Sequence, residues 1–254
     1  MVNKYIMEYK KGLVVFIDIL GTKDSNFNNL LNISKIFHNE LLRLEKRQMF
    51  CKKFVTSFSD CAYIIYEINE KSEKNNIEFY FYIHDSLIDL AYTISTIKIN
   101  GFMCRGGVSY GELYYEKDSN IIFGPAINET YKLETEAIMP RIILDDNLGN
   151  KLYKKEKIHI KERFQKIIRK DEFDNRYYLN YLYAFSQFDY MDYDEGLYNE
   201  KIVLGSNEYT FDEYFTILEN DTLKKIRNIK DHNIVAKYKW QLRYLRNHYK
   251  ERLL

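Results

Sequence analysis

The apolar run Val14-Val15-Phe16-Ile17 leads straight into a carboxylate and a glycine turn, Asp18-Ile19-Leu20-Gly21. Phe58-Ser59-Asp60, followed by apolar Ala62-Tyr63-Ile64-Ile65, repeats the arrangement further along the chain. An aspartate at the edge of a buried strand costs desolvation energy unless a cation compensates it. A divalent metal between Asp18 and Asp60 is the economical solution. Such carboxylate pairs occur where phosphoryl chemistry is done, because Mg2+ prefers oxygen ligands and needs only one or two from protein beside those of a triphosphate. An aspartate after a strand also serves as a helix N-cap or turn former, so neither segment decides the matter alone.

A third segment narrows the choice. Gly101-Phe102-Met103-Cys104-Arg105-Gly106-Gly107-Val108 reads as a strand carrying an arginine, and a hairpin follows it. Gly124-Pro125 then marks a helix start. That helix presents Asn128 and Lys132 at i, i+4 on one face, so both side chains reach one ligand.

The pattern predicts a strand near 12–19, a helix near 27–48, a hairpin near 52–67 with Asp60 at its tip, and a helix near 83–98. A strand pair at 102–115 and 120–123, a helix over 126–137 and a strand near 140–145 complete the core. This β-α-β-β-α-β order defines an α+β, ferredoxin-like palm, with both aspartates at one end of adjacent central strands. Tyr177 to Leu182 reads as another strand. Leu223, Ile226, Ile229, Ile234, Tyr238, Leu242 and Leu245 recur near helical spacing from Asp221 onward. The expected organisation is one domain over 1–254, with a core at about 10–185 and a helical extension at about 186–254.

With Lys+Arg 38 against Asp+Glu 37, the formal charge of +1 argues against a nucleic-acid-binding surface as the main activity. No Gly/Ser-rich stretch suggests a linker. No apolar run approaches the roughly 20 residues of a membrane span, and the N-terminus carries no signal-peptide pattern. Cys51, Cys61 and Cys104 are odd in number and lie in or near apolar strands, which suits buried free thiols in a reducing cytoplasm. The five histidines show no metal-ligand spacing.

Together these segments resemble class III nucleotide cyclases. That family's pattern has a metal aspartate in a strand-Asp-Ile-x-Gly turn, a second in a Gly-Asp hairpin, an Arg-x-Gly-Ile strand, and Asn-x-x-x-Arg on a helix. Asp18-Ile19-Leu20-Gly21, Ser59-Asp60, Arg105-Gly106-Gly107-Val108 and Asn128 to Lys132 match in order and spacing. Two positions depart from purine cyclases, which read the base with polar groups four residues before the second aspartate and seven before the helix asparagine. Here they are Thr56 and Ile121, and isoleucine accepts no hydrogen bond. That absence, and phrases such as Pro140-Arg141-Ile142-Ile143, Arg169-Lys170-Asp171-Glu172-Phe173-Asp174 and Lys237-Tyr238-Lys239-Trp240, are similar to the bacterial pyrimidine cyclases of Pycsar anti-phage systems.

The resemblance implies two divalent ions, Mg2+ or Mn2+, held by Asp18, Asp60 and the backbone of Ile19. It implies substrate contacts from Ile19, Gly21 and Thr22, and a base pocket lined by Thr56 and Ile121. Arg105 would hold the β- and γ-phosphates, and Asn128 would orient the ribose. Lys132 stands where the family has an arginine that stabilises the transition state; it keeps the charge and loses the planar fork. Arg169 or Lys170 would bind triphosphate. Arg141 is a further candidate, or a member of a salt bridge. One chain carrying both residue sets implies a head-to-tail homodimer acting on CTP or UTP, its product read by a separate cyclic-nucleotide-binding effector. The alternatives are a purine cyclase, a palm nucleotidyltransferase, which the missing Gly-Gly-acid-acid-Phe hairpin disfavours, and a non-catalytic nucleotide-binding protein.

Overall fold

The computed structural model describes residues 9–22, 27–69, 72, 74–159, 166–186 and 201–253. Strand β1 (Lys10–Leu20) is followed by α1 (Phe27–Lys46), the hairpin β2 (Lys52–Phe58) and β3 (Cys61–Glu67), α2 (Asn76–Ile99) and β4 (Met103–Glu116). These elements form the expected α+β palm. In space the strands run β2-β3-β1-β4, all neighbours antiparallel. Strand β5 (Ile121–Phe123) folds back on β4, helix α3 (Pro125–Glu136) follows, and β6 (Ile142–Leu144) adds to β4 in parallel. Helix α4 (Asp146–His159) leads to β7 (Ile168–Lys170) and β8 (Tyr177–Leu179), which continue the sheet as β6-β8-β7.

Strand periodicity separates the two faces of the sheet. Leu13, Val15, Ile17 and Ile19 of β1 join Ile64 and Tyr66 of β3 beneath Phe37, Leu41 and Leu44 of α1 and Ile83, Leu87 and Leu90 of α2. The alternate residues, Val14, Phe16 and Asp18, face the other side. There Val14, Phe54, Ile65 and Leu113 pack under Ala126 and Ile127 of α3. Under α2 lies a buried ionic cluster: Asp89 meets Arg47 at 2.8 Å, Lys53 at 2.9 Å and the Tyr66 hydroxyl at 3.0 Å.

Three expectations about the elements change. Helix α2 starts at Asn76 rather than near 83, because the Asn75 side chain caps it by accepting from the Ile77 amide at 3.1 Å; Ile77 and Phe81 stay exposed, so apolar periodicity does not mark this first stretch. The strand expected over Tyr177–Leu182 stops at Leu179 and turns into a short 3-10 segment, Tyr181–Ser186. The extension after Asp221 is two helices, not one. A small hairpin, β9 (Ile202–Leu204) and β10 (Asn207–Tyr209), precedes α5 (Phe211–Asn228) and α6 (His232–Leu253). Thr210 and Glu213 form a capping box at the start of α5, and Asp231 caps α6 through the amides of Asn233 and Ile234.

Arg141 takes the salt-bridge role. It is buried, pairs with Asp171 and Asp174, and shares Asp171 with the indole N–H of Trp240 on α6. All three cysteines are free, but only Cys104 is fully buried; Cys51 and Cys61 are half-buried, contrary to expectation. No helix among the described residues is long and apolar enough to cross a membrane.

Candidate active site

Asp18 ends the β1–β3 pairing, opposite Cys61 of β3 on one side and Arg105 of β4 on the other. Asp60 sits in the tight turn between β2 and β3, where Ser59 adopts a left-handed φ of 56°. The amide of Ile19 donates to the carbonyl of Asp60 at 3.0 Å, so the two acidic segments are fastened together through backbone. Gly21 follows at φ 89°, a conformation that costs other residues about 1 kcal/mol, and a Cβ there would project into open space. The Thr22 hydroxyl donates to the Asp60 carboxylate. Asp18, Ile19, Gly21, Thr22 and Asp60 therefore form one group.

Arg105 joins them. Its Nε stands 3.5 Å from Asp18 Oδ2 and 2.5 Å from Glu134 Oε1. Glu134 was not singled out in the sequence. It arrives because α3 lies directly on β4: a Cβ on Gly107 would collide with the Thr130 carbonyl and with Leu133, so only glycine lets the helix this close. Burial raises the Asp18 carboxyl above its ordinary range; the Arg105 cation opposes this and neighbouring Asp60 adds to it. Glu134 is likewise raised, chiefly by burial, against the pull of Arg105.

No group of three His, Cys, Asp or Glu side chains among the described residues is placed to hold a metal. Two carboxylates nonetheless suffice for a hard cation that takes its remaining oxygens from a triphosphate and water. Asp18 and Asp60 fit that requirement.

The remaining sequence candidates lie apart from this group within the chain. Asn128 and Lys132 are exposed on α3. Lys132 pairs loosely with Glu129 at 3.7 Å and Glu136 at 3.9 Å and lines a cleft of ≈ 490 Å³ with Ser109, Asp145 and Arg176. Arg169 and Lys170 are on β7, at the opposite edge of the sheet and four strand spacings from β1, about 19 Å away. Arg169 is engaged by Glu251 of α6, and Lys170 lies over the Tyr177 ring.

Thr56 is engaged by the residue before Ile121. Its hydroxyl donates to Asn120 Oδ1 at 2.5 Å, while Ile121 is 44% exposed on β5. Asn120 ends the β4–β5 turn at φ 56°, which brings the residue before the expected one against Thr56. An Asn able to occupy left-handed φ is the only sequence signal for it.

No known protein-family profile matches the sequence, and no curated protein matches it. Among solved structures, the chain is similar to the monomeric guanylyl cyclase domain of a RhoGC fusion protein from the aquatic fungus Blastocladiella emersonii. The identity is 13% and the TM-score 0.42, over 68% of this chain and 95% of that one. It is similar to an adenylate/guanylate cyclase/hydrolase from Silicibacter pomeroyi at 16% identity and a TM-score of 0.41, over 68% and 95% of the two chains. A bacterial light-regulated adenylyl cyclase shows 16% identity and a TM-score of 0.39, over 68% and 92%.

Proposed function

We propose that the chain is a nucleotide cyclase that converts CTP or UTP to the 3′,5′-cyclic monophosphate and pyrophosphate. The observation that carries this reading is the fastened pair of acidic segments, Asp18 and Asp60 joined through the Ile19 amide, with Arg105 directly across from Asp18. In cyclisation the ribose 3′-oxygen attacks the α-phosphorus in line, the new O–P bond forms as the bond to the β-phosphate oxygen breaks, and pyrophosphate leaves. Mg2+ or Mn2+ bound at the site would lower the pKa of the 3′-hydroxyl and offset phosphate charge.

The chain's own groups do the rest. Asp18, Asp60 and the Ile19 backbone would hold the cations, and the Gly21 turn and Thr22 would border the triphosphate. The terminal nitrogens of Arg105 make no hydrogen bond to a described residue and are available to phosphate oxygens. Asn128 orients the ribose and Lys132 supplies charge at the α-phosphate. Arg169 and Lys170 would add triphosphate contacts, Arg169 by exchanging Glu251 for phosphate. Because these four lie away from the carboxylates of their own chain, a second copy docked head to tail brings them to the site.

At the base, the Thr56–Asn120 pair offers a hydroxyl and an amide in place of a lysine and a carboxylate. An amide presents a donor to a carbonyl or an acceptor to an exocyclic amine, so both pyrimidines fit. The cyclic product would signal to a separate cyclic-nucleotide-binding effector in anti-phage defence.

The test incubates the protein with ATP, GTP, CTP and UTP plus Mn2+ beside an Asp60→Asn variant and separates the products by chromatography. The expected result is a cyclic pyrimidine monophosphate, at least about 100-fold reduced in the variant, since losing a metal carboxylate removes several kcal/mol of charge stabilisation. A cyclic purine would overturn the base assignment. The absence of any product would favour a binding protein.

A further inference from the structure

We infer that Glu134 is a positioning residue whose task is to keep Arg105 off Asp18, so that the Asp18 carboxylate stays open to a cation. The inference deepens the proposed function and rests on the reading of Asp18 as a cation ligand.

The β1–β4 register sets Arg105 and Asp18 directly opposite on one face of the sheet. Opposite charges in that relation ordinarily pair with each other. Here the nearer partner is Glu134, at 2.5 Å against 3.5 Å for Asp18. Glu134 is buried and comes from a different element, held in place by the close seating of α3 over Gly107. Its contact with Arg105 is an ion pair off the ideal hydrogen-bond axis, so it is set by where the helix backbone lies rather than by optimal bonding between the two side chains.

Charge gives a second reason. When ionised, Asp18, Asp60 and Glu134 against Arg105 leave two negative charges, matching one divalent cation. Without Glu134, Arg105 has Asp18 as its nearest carboxylate, and a cation entering the site has to break that pair first.

The measurement is Mn2+ binding to the full chain without nucleotide, followed by the electron paramagnetic resonance signal of free Mn2+. Glu134→Gln is expected to weaken binding about tenfold, the size associated with first breaking a charge-assisted pair. In an Arg105→Gln background the same substitution is expected to change binding less than about twofold, because no guanidinium remains to collapse onto Asp18. If Glu134→Gln weakens Mn2+ equally in both backgrounds, Glu134 contributes only general negative charge and the inference is overturned.

Glu134→Asp supplies a check that preserves net charge. Withdrawing the carboxylate by one methylene should also weaken Mn2+ binding, whereas a purely electrostatic role predicts no change; this variant serves if the Gln form does not fold. Asp18→Asn separates the two levels of the argument. If it binds Mn2+ as tightly as the unaltered chain, or if the unaltered chain binds none at millimolar Mn2+, the cation reading itself fails. If Asp18→Asn weakens binding and Glu134→Gln does not, only the positioning role falls.

Discussion

Glu156 on α4 is fully buried, with the amides of Ile167 at 3.1 Å and Ile168 at 3.3 Å donating to its two oxygens. Burial still outweighs those bonds and pushes its carboxyl from 4.5 up to about 7. The unfolded chain therefore gives up this proton near pH 4.5 while the folded chain keeps it until about pH 7. In that interval folding keeps a proton on Glu156, so its contribution to stability falls as pH rises and stays lower above it. The loss is on the order of 3 kcal/mol for a shift of this size. Thermal melts from pH 5 to pH 8 should show the midpoint of the unaltered chain falling relative to that of Glu156→Gln, a comparison that cancels the opposite slope of His84, which burial lowers to about 4; an equal slope in both proteins would exclude Glu156 as the source. At this scale the sequence was uneven. Asp18 and Asp60 stood out because a carboxylate ending an apolar strand is a local anomaly. Glu134 did not, because it is one of three glutamates in α3 and only the docking over Gly107 distinguishes it. Asn120 was missed by one position, since a turn residue's backbone angle decides which neighbour faces Thr56.

Among the elements, α6 is the one whose role was least legible. Its apolar spacing announced a helix, but its partners are distant in sequence: Trp240 donates to Asp171 at 2.8 Å, Gln241 accepts from buried Lys98 at 3.0 Å, and the Tyr244 hydroxyl donates to Asn180 at 2.5 Å. Trp240 also stacks on Tyr244, with ring centroids 5.6 Å apart. Trp240→Ala leaves a cavity between α6 and β8 and unpairs a side of the Arg141–Asp171 cluster, and should cost about 3–5 kcal/mol. Urea unfolding measures it, and a loss below 1 kcal/mol would mean that α6 is not integral to the sheet's far edge. The βαββαβ core, by contrast, was readable almost to its ends, because its strands alternate between two buried faces and its hairpins carry their own turn residues. The start of α2 and the break before α6 were not, since both depend on single capping side chains, Asn75 and Asp231.

Over the whole molecule, two large aromatic side chains beside the carboxylates stand exposed among the described residues. Phe58 is 80% exposed next to Asp60, and Tyr131 is 57% exposed over Phe16. A head-to-tail pair would cover these rings and complete two sites. Activity per chain should then rise with protein concentration. Equal mixing of Asp60→Asn with Asn128→Ala, each inactive alone, should restore about a quarter of the unaltered rate, because half the pairs are mixed and each mixed pair has one intact site. A mixture as inactive as its components would rule out shared sites.

The alternation of β1 has one more consequence. Leu13, Val15, Ile17 and Ile19 lie under the helices while Asp18 lies on the opposite face. Inserting one residue between Leu13 and Asp18 would put the two on one face, turning either the carboxylate into the oily layer or the leucine out of it. Inserting two would restore the faces but slide Asp18 about 7 Å along the strand, out of step with Arg105 and Asp60. The strand thus acts as a ruler whose length is fixed from both ends: a change of one residue in its count costs the faces, and a change of two costs the register.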